Sequence, residues 1–286
     1  MAKACPEPGM KENAPLLVRV WLALDRVASA MWRTFVMVRD ETLWAGTSNA
    51  GRERANRAIY NRRKTYLPGG STFEGGLFDW EREALAQFPV SGRILLGAAG
   101  GGRELAALAN LGYEVVAFEP ASDLAEAART VAARFPPSQV ITASFHDLLR
   151  AAEKQSGPLA PHVCGREIAG VILGWGSFSY VWREDRVATL KALHTLAPHA
   201  PVLFSYTETW EEPEGVVRAL RVGFRRLLRL SGFSRLAEPG DRFQPWGGFS
   251  QTLAPADVQS LAARTGYRAV FVKSSPAAHA LFVPLT

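Results

Sequence analysis

The residues best placed for chemistry form one short run, Ile94-Leu95-Leu96-Gly97-Ala98-Ala99-Gly100-Gly101-Gly102-Arg103-Glu104. An apolar stretch enters four glycines and two alanines, and a helical pattern follows. Small side chains let the backbone turn tightly and come close to a ligand. Glu119 closes the next apolar run, seventeen residues after Gly102. A carboxylate there can accept hydrogen bonds from both hydroxyls of a ribose. Glycine run and acid together point to a nucleoside site. Gly97-x-Ala99-x-x-Gly102 is also a degenerate dinucleotide fingerprint, a weak signal when it stands alone.

Further candidates lie downstream. Ala143-Ser144-Phe145-His146-Asp147-Leu148 and Gly174-Trp175-Gly176-Ser177-Phe178-Ser179-Tyr180 each follow a short apolar run. For proton removal the candidates are His146, Glu208 and Glu211, with His194 and His199 more remote. His146 and Glu208 form the better pair, because both should leave strand ends at the ligand edge. Upstream, Tyr60, Tyr66, Phe73 and Trp80 supply aromatics that could cover a cationic ligand. The two cysteines, Cys5 and Cys164, make neither a disulfide framework nor a multi-cysteine zinc site. The expectation is a reducing, cytoplasmic setting and no structural metal.

The elements that must position these groups can be read from periodicity. Leu16, Val20, Ala23, Leu24, Val27 and Met31 recur at helical steps, so an amphipathic helix opens the ordered chain after a loose tail over 1–13. That tail lacks the basic start and apolar run of a signal peptide. The stretch from Leu16 to Val38 is interrupted by Arg19, Asp25, Arg26 and Arg33, too often for a membrane span. Helical texture continues to about Phe88. From Gly92 onward short apolar runs alternate with helices. Strands are expected at Arg93–Gly97, Glu114–Phe118, Val140–Ala143, Ile168–Gly174 and Val202–Tyr206, with a helix N-capped by Ser122 over Asp123–Phe135. Strands separated by helices imply right-handed crossovers and a parallel sheet. Ser156–Gly165 reads as a surface loop, and Ser231–Thr252 as loop-rich. Tyr267–Lys273 and Ala280–Val283 are joined by too few residues for a crossover, so they should form a hairpin. The expected fold is α/β: a seven-stranded, mostly parallel Rossmann-like sheet with a C-terminal antiparallel strand. A helical cap or lid over 14–90 should precede a sheet domain over 91–286, whose insertion 208–249 makes a substrate wall.

The 286 residues are 48% hydrophobic and 21% charged, an ordinary globular balance. The net charge of +6 has a definite location. Arg218, Arg221, Arg225, Arg226, Arg229 and Arg235 lie in an acid-free stretch, and without them the chain is neutral. A second cluster spans Arg52–Lys64, with Glu53 its one acid. A solvated outer face is the favoured reading of both. An anionic acceptor, an acidic membrane surface or nucleic acid are the alternatives.

In its order and spacing of motifs over about Gly92–Thr286, the chain resembles the class I S-adenosylmethionine-dependent methyltransferases. The pattern acidic-x-Gly-x-Gly-x-Gly would fall on Leu96, Ala98, Gly100 and Gly102. The acid and the first glycine are thus replaced, and the other two glycines kept. Glu119 matches the ribose-binding acid and Pro120 follows it. Ser144, Phe145 and Asp147 occupy the adenine-contacting loop, while Gly174 and Trp175 leave strand four beside the methyl group. The resemblance implies S-adenosyl-L-methionine held by Tyr66, Gly97, Ala98, Ala99, Gly100, Gly102, Glu119, Pro120, Ser144, Phe145, Asp147, Gly174 and Trp175. His146 and Glu208 would serve as bases for in-line methyl transfer to oxygen or nitrogen of a small molecule. Competing readings are a cofactor-binding protein without turnover, a nucleic-acid methyltransferase and a nicotinamide oxidoreductase.

Overall fold

The computed structural model describes residues 15–209, 216–233, 235–271 and 278–285. The expected tail, Glu211 and most of the hairpin link after Phe271 lie outside them. The chain divides into two compact units, Met1–Thr47 with Glu211–Pro239, and Ser48–Trp210 with Gly240–Thr286. This partition cuts through both the cap and the insertion expected from sequence. Residues 48–90 join the sheet unit, whereas 15–47 group with 216–239.

The larger unit is built on the strands β1 (Arg93–Gly97), β2 (Glu114–Glu119), β3 (Gln139–Thr142), β4 (Gly170–Leu173), β5 (Val202–Tyr206), β8 (Tyr267–Phe271) and β9 (Ala278–Pro284). Their order in the sheet is β3-β2-β1-β4-β5-β9-β8. The four pairings that join β3, β2, β1, β4 and β5 are parallel, and β9 runs antiparallel between β5 and β8, with Phe204 opposite Ala280. β1, β4 and β5 are almost wholly buried, as their unbroken apolar sequences require of strands covered on both faces. Side chains alternate between those faces. Leu95, Val116, Phe118, Val171 and Phe204 pack into one core with α7 (Phe145–Lys154), α9 (Arg186–Leu196) and α11 (Pro255–Arg264). Ile94, Leu96, Val115, Ile172 and Leu203 pack into the other with α4 (Asp79–Leu85), α5 (Arg103–Asn110) and α6 (Ser122–Ala132).

α2 (Asn49–Asn61) starts at Ser48, whose hydroxyl accepts from Gly51 N at 3.2 Å, an ordinary N-cap. Short helices α3 (Ser71–Glu74) and α8 (Ala160–Val163) complete this unit. α8 lies inside the expected 156–165 loop, its start favoured by Pro161 in its first turn. Ser122 is not the N-cap of α6: Ala121 holds that place, and the Ser122 hydroxyl donates to Asp123 at 3.0 Å. Within the expected loop-rich stretch, β6 (Asp241–Gln244) and β7 (Gly248–Gln251) form a separate two-stranded antiparallel ladder.

The smaller unit pairs α1 (Leu16–Gly46) with α10 (Val216–Leu230). Glu41 of α1 is buried and receives Arg225 at 2.9 Å and Arg221 at 3.4 Å. No helix among the described residues is long and apolar enough to cross a membrane.

Candidate functional site

Strand order reverses between β1 and β4, and in open α/β sheets the crevice at such a reversal, at the strand carboxyl ends, is where ligands bind. A concave site lies there, and every lining residue falls within 53–189. Ala98, Ala99, Gly100 and Gly101 form its floor after β1. Gly101 must be glycine, because a Cβ there would stand 2.1 Å from the Tyr66 carbonyl oxygen. A Cβ on Gly174 would likewise meet the Ala98 carbonyl oxygen at 2.3 Å, so the exit of β4 lies directly against this loop. Ala98 adopts φ +54°, a left-handed conformation that an L-residue takes at a cost of roughly 1–2 kcal/mol. The loop therefore keeps its turn without glycine at this position.

Glu119 ends β2 with its carboxylate buried. One oxygen accepts from Gly100 N at 2.9 Å and the other from Ala121 N at 2.9 Å. Burial pushes the carboxyl up to about 7, against the pull of these two donors, and the charge of Glu104 adds to the rise. Each oxygen keeps capacity for another donor. Pro120, Ser144 and Phe145 line the same end. Phe145 meets Phe118 edge-on at 5.4 Å, which fixes its ring beside the sheet.

Asp147, Gly97, Gly102 and Gly174 are not among the lining residues. Asp147 closes the capping box of α7, accepting from Ser144 N at 2.9 Å and from the Ser144 hydroxyl at 2.8 Å. Gly97 faces the Phe118 ring, Gly102 faces Ala128 of α6, and Gly174 is pinned by its N–H to the Gly97 carbonyl at 2.7 Å. These positions shape the cleft from behind. Glu208 is also absent from the lining. Its backbone forms a bridge with Leu253 just past β5, so the expected pairing with His146 in one cleft is not seen.

His146 does line the cleft. Its Nε2 lies 2.9 Å from Glu53 Oε1, which also accepts from Trp182 Nε1 at 2.9 Å. A carboxylate can only accept, so Nε2 carries the proton and Nδ1 is the ring's basic nitrogen. The hydrogen bond to Glu53 raises the His146 pKa, and the same bond lowers that of Glu53 against the effect of burial. Tyr60 donates to the Tyr180 hydroxyl at 2.7 Å, and burial raises both phenols. Tyr66 stands 5.9 Å from Tyr60, centroid to centroid. α2 is fixed over this wall by Asn56, whose amide pairs with both backbone groups of Phe249 at 2.9 and 2.7 Å. Of the other upstream aromatics, Phe73 lines the cleft, while Trp80 is buried in the core and stacks on His279 at 4.7 Å.

Opposite Glu119, Glu104 opens α5 and its Oε1 accepts weakly from Trp175 N at 3.4 Å. Arg103 is buried between Glu104 at 2.6 Å and Glu81, which takes both guanidinium nitrogens at 2.7 Å. Burial works against the charge of Arg103, but the two carboxylates more than offset it and the pKa is raised. The Ser177 hydroxyl and Thr189 hydroxyl are buried in the lining with no hydrogen-bond partner among the described residues. Sequence reasoning missed Glu53, Trp182, Glu104 and Asp185. Only Glu104, adjacent to the glycine run, carried a local signal.

No family model and no curated protein matches the sequence. Solved structures do match. PH0226 from Pyrococcus horikoshii OT3 is 17% identical, with 79% of this chain and 97% of that one covered, at a TM-score of 0.54. DhpI in complex with SAH is 15% identical, with 84% and 99% covered, at 0.53. The fold is that of the class I SAM-dependent methyltransferases. MtfA, a glycopeptide N-methyltransferase complexed with sinefungin, aligns at 0.48 with 16% identity over 73% of this chain and 86% of that one. Leu96, which stands where the resemblance expects an acid, is buried in β1.

Proposed function

We propose that the chain is an S-adenosyl-L-methionine-dependent methyltransferase acting on oxygen or nitrogen of a small molecule. The observation that carries this reading is Glu119: a buried acid at the strand-reversal crevice, both oxygens anchored to the glycine loop and its neighbour, each with a lone pair to spare. Those lone pairs suit the two hydroxyls of a ribose. Ser144 and the Phe145 backbone would meet the adenine edge. The 98–101 loop would carry the amino-acid portion, with Glu104 supplying the carboxylate that Leu96 lacks. The unpartnered Ser177 hydroxyl is a further polar group for this end. DhpI was solved with SAH and also with SAM and HEP, which supports the same choice of cofactor here.

When bound, the cofactor supplies an electrophilic methyl group and leaves as a neutral thioether, so no acid is needed. The chain's work is then to orient the acceptor, exclude water and take a proton. His146 would take it on Nδ1. Glu53 holds the ring through Nε2 and stabilises the imidazolium that forms, and Trp182 fixes Glu53. Tyr60 and Tyr66, from residues 48–90, would form a lid over the acceptor, with Tyr180 from the segment after β4 completing that wall. The polar end of the cleft holds Glu53 and Asp185 beside Arg57. That composition suits a neutral or cationic alcohol or amine better than an anionic acceptor.

The test is calorimetric titration with S-adenosylmethionine, S-adenosylhomocysteine and NADH on wild type and Glu119→Ala. Micromolar binding of the first two, lost in the variant, is expected. Binding of NADH alone would overturn the reading.

A further inference from the structure

The paired helices α1 and α10 present a large exposed apolar surface. Every residue from Leu16 to Ala28 is exposed, and so are Met31, Trp32 and Phe35. Trp21 and Trp32 expose about two-thirds of their surfaces, at 66% and 63%. At about 100° per residue, Leu16, Val20, Leu24, Val27 and Met31 share one side of α1, with Phe35, Trp21 and Trp32 widening it. Arg19, Arg26 and Arg33 recur at every seventh residue on the other side. α10 repeats the arrangement. Leu220 and Leu227 are exposed on one side, Arg218, Arg226 and Arg229 on the other.

Charge decides what covers this surface. The two helices hold nine arginines against three acids, so they carry +6, the whole formal net charge of the chain. One of the three acids, Glu41, is buried against Arg221 and Arg225. Two copies meeting here would bring +6 against +6, while an anionic surface would neutralise it. The apolar arc on α1 spans about 160°, wider than the narrow seam of a coiled coil. No described helix can cross a bilayer. An amphipathic helix with arginines on one face and tryptophan, leucine and valine on the other is built to lie in the plane of a membrane.

We propose that the α1–α10 pair docks the protein on anionic lipid bilayers, its leucine, valine and tryptophan side entering the headgroup boundary and its arginines meeting lipid phosphates. α1 alone, about 46 Å long, provides a substantial contact.

The experiment is flotation of the full chain with vesicles of phosphatidylcholine containing one-third phosphatidylglycerol, against pure phosphatidylcholine. Binding to the first, little to the second, and release at high salt are expected. Each arginine near such a surface contributes about five-fold, so Arg218→Gln with Arg226→Gln and Arg229→Gln should weaken partition about 100-fold. Trp21→Ser with Trp32→Ser should weaken it independently, and both variants should keep the wild-type circular dichroism and melting temperature, since the altered side chains are exposed. Equal binding to neutral vesicles would overturn the proposal. So would failure to bind anionic vesicles, whether the chain sediments as a monomer or as a dimer joined through α1.

Discussion

Glu119 gives a prediction whose size can be worked out. Its carboxyl stands at about 7 because burial outweighs the Gly100 and Ala121 donors. A ribose needs the ionised form, since a protonated acid replaces one acceptor with a donor. The ionised fraction is roughly 10% at about pH 6 and 90% at about pH 8, so affinity should rise about nine-fold across that range. Adenosine is the ligand to use, because it lacks the amine that titrates in the full cofactor. Glu119→Gln should flatten the profile. Glutamine has one carbonyl oxygen where the structure needs two acceptors, so one N–H must face the amide NH2 and lose its partner. That costs about 1–3 kcal/mol, and the displaced ribose hydroxyl loses a charge-assisted bond of similar size. The portion felt in binding, about 3 kcal/mol, is roughly 100-fold in affinity. Calorimetry at constant ionic strength measures both effects. A wild-type affinity that is constant with pH, or a variant within about three-fold of it, would refute the role of Glu119.

Other outcomes follow from the same geometry. In the unliganded protein the raised Glu119 pKa means the folded state holds a proton that the unfolded state has released. Between about pH 4.5 and 7 stability should therefore fall as pH rises, by up to about 3 kcal/mol, and denaturant titration at fixed temperature reads this against Glu119→Gln. His146→Ala should lower kcat about 100-fold or more while leaving S-adenosylhomocysteine affinity unchanged, once an acceptor is found. Glu53→Gln replaces the carboxylate that raises His146 with a neutral amide, so the basic form appears earlier and the rising limb of the pH–rate profile should move to lower pH. Arg103→Leu strands Glu81 and Glu104 in the interior and should destabilise by about 3–5 kcal/mol in denaturant titration. Asn56→Ala leaves a backbone N–H and a carbonyl of β7 unpaired, and should cost about 2 kcal/mol in the same assay.

The sheet was legible because burial on both faces writes itself into sequence as unbroken apolar runs. Ile94 to Leu96 and Val202 to Phe204 could be nothing else, and the short link after the penultimate strand forced the antiparallel ending. β6 and β7 were not legible. Each has four residues, and Arg242, Gln244 and Gln251 give them no apolar alternation. Their ladder is held from outside, by the Asn56 side chain almost two hundred residues away in sequence. Ser122 failed as a predicted cap because a hydroxyl one residue into the helix looks the same in sequence as one at its start.

Site residues divide along the same line. Glu119, Gly100 and Ser144 line the cleft, and each sits next to the end of a strand, where an open sheet binds ligands. Asp147 was expected in the adenine-contacting loop, and its carboxylate accepts from the backbone N–H and the hydroxyl of Ser144, a capping contact that only three dimensions reveal. The partner of His146 could not be found by spacing at all. Glu53 comes from α2 and Trp182 from the segment after β4, and the three meet because α2 folds back over the crevice. Where chemistry depends on one strand end, sequence order is enough. Where it depends on a second element closing over that end, the distances between side chains carry the information. The side of this cleft around His146 is built in the second way.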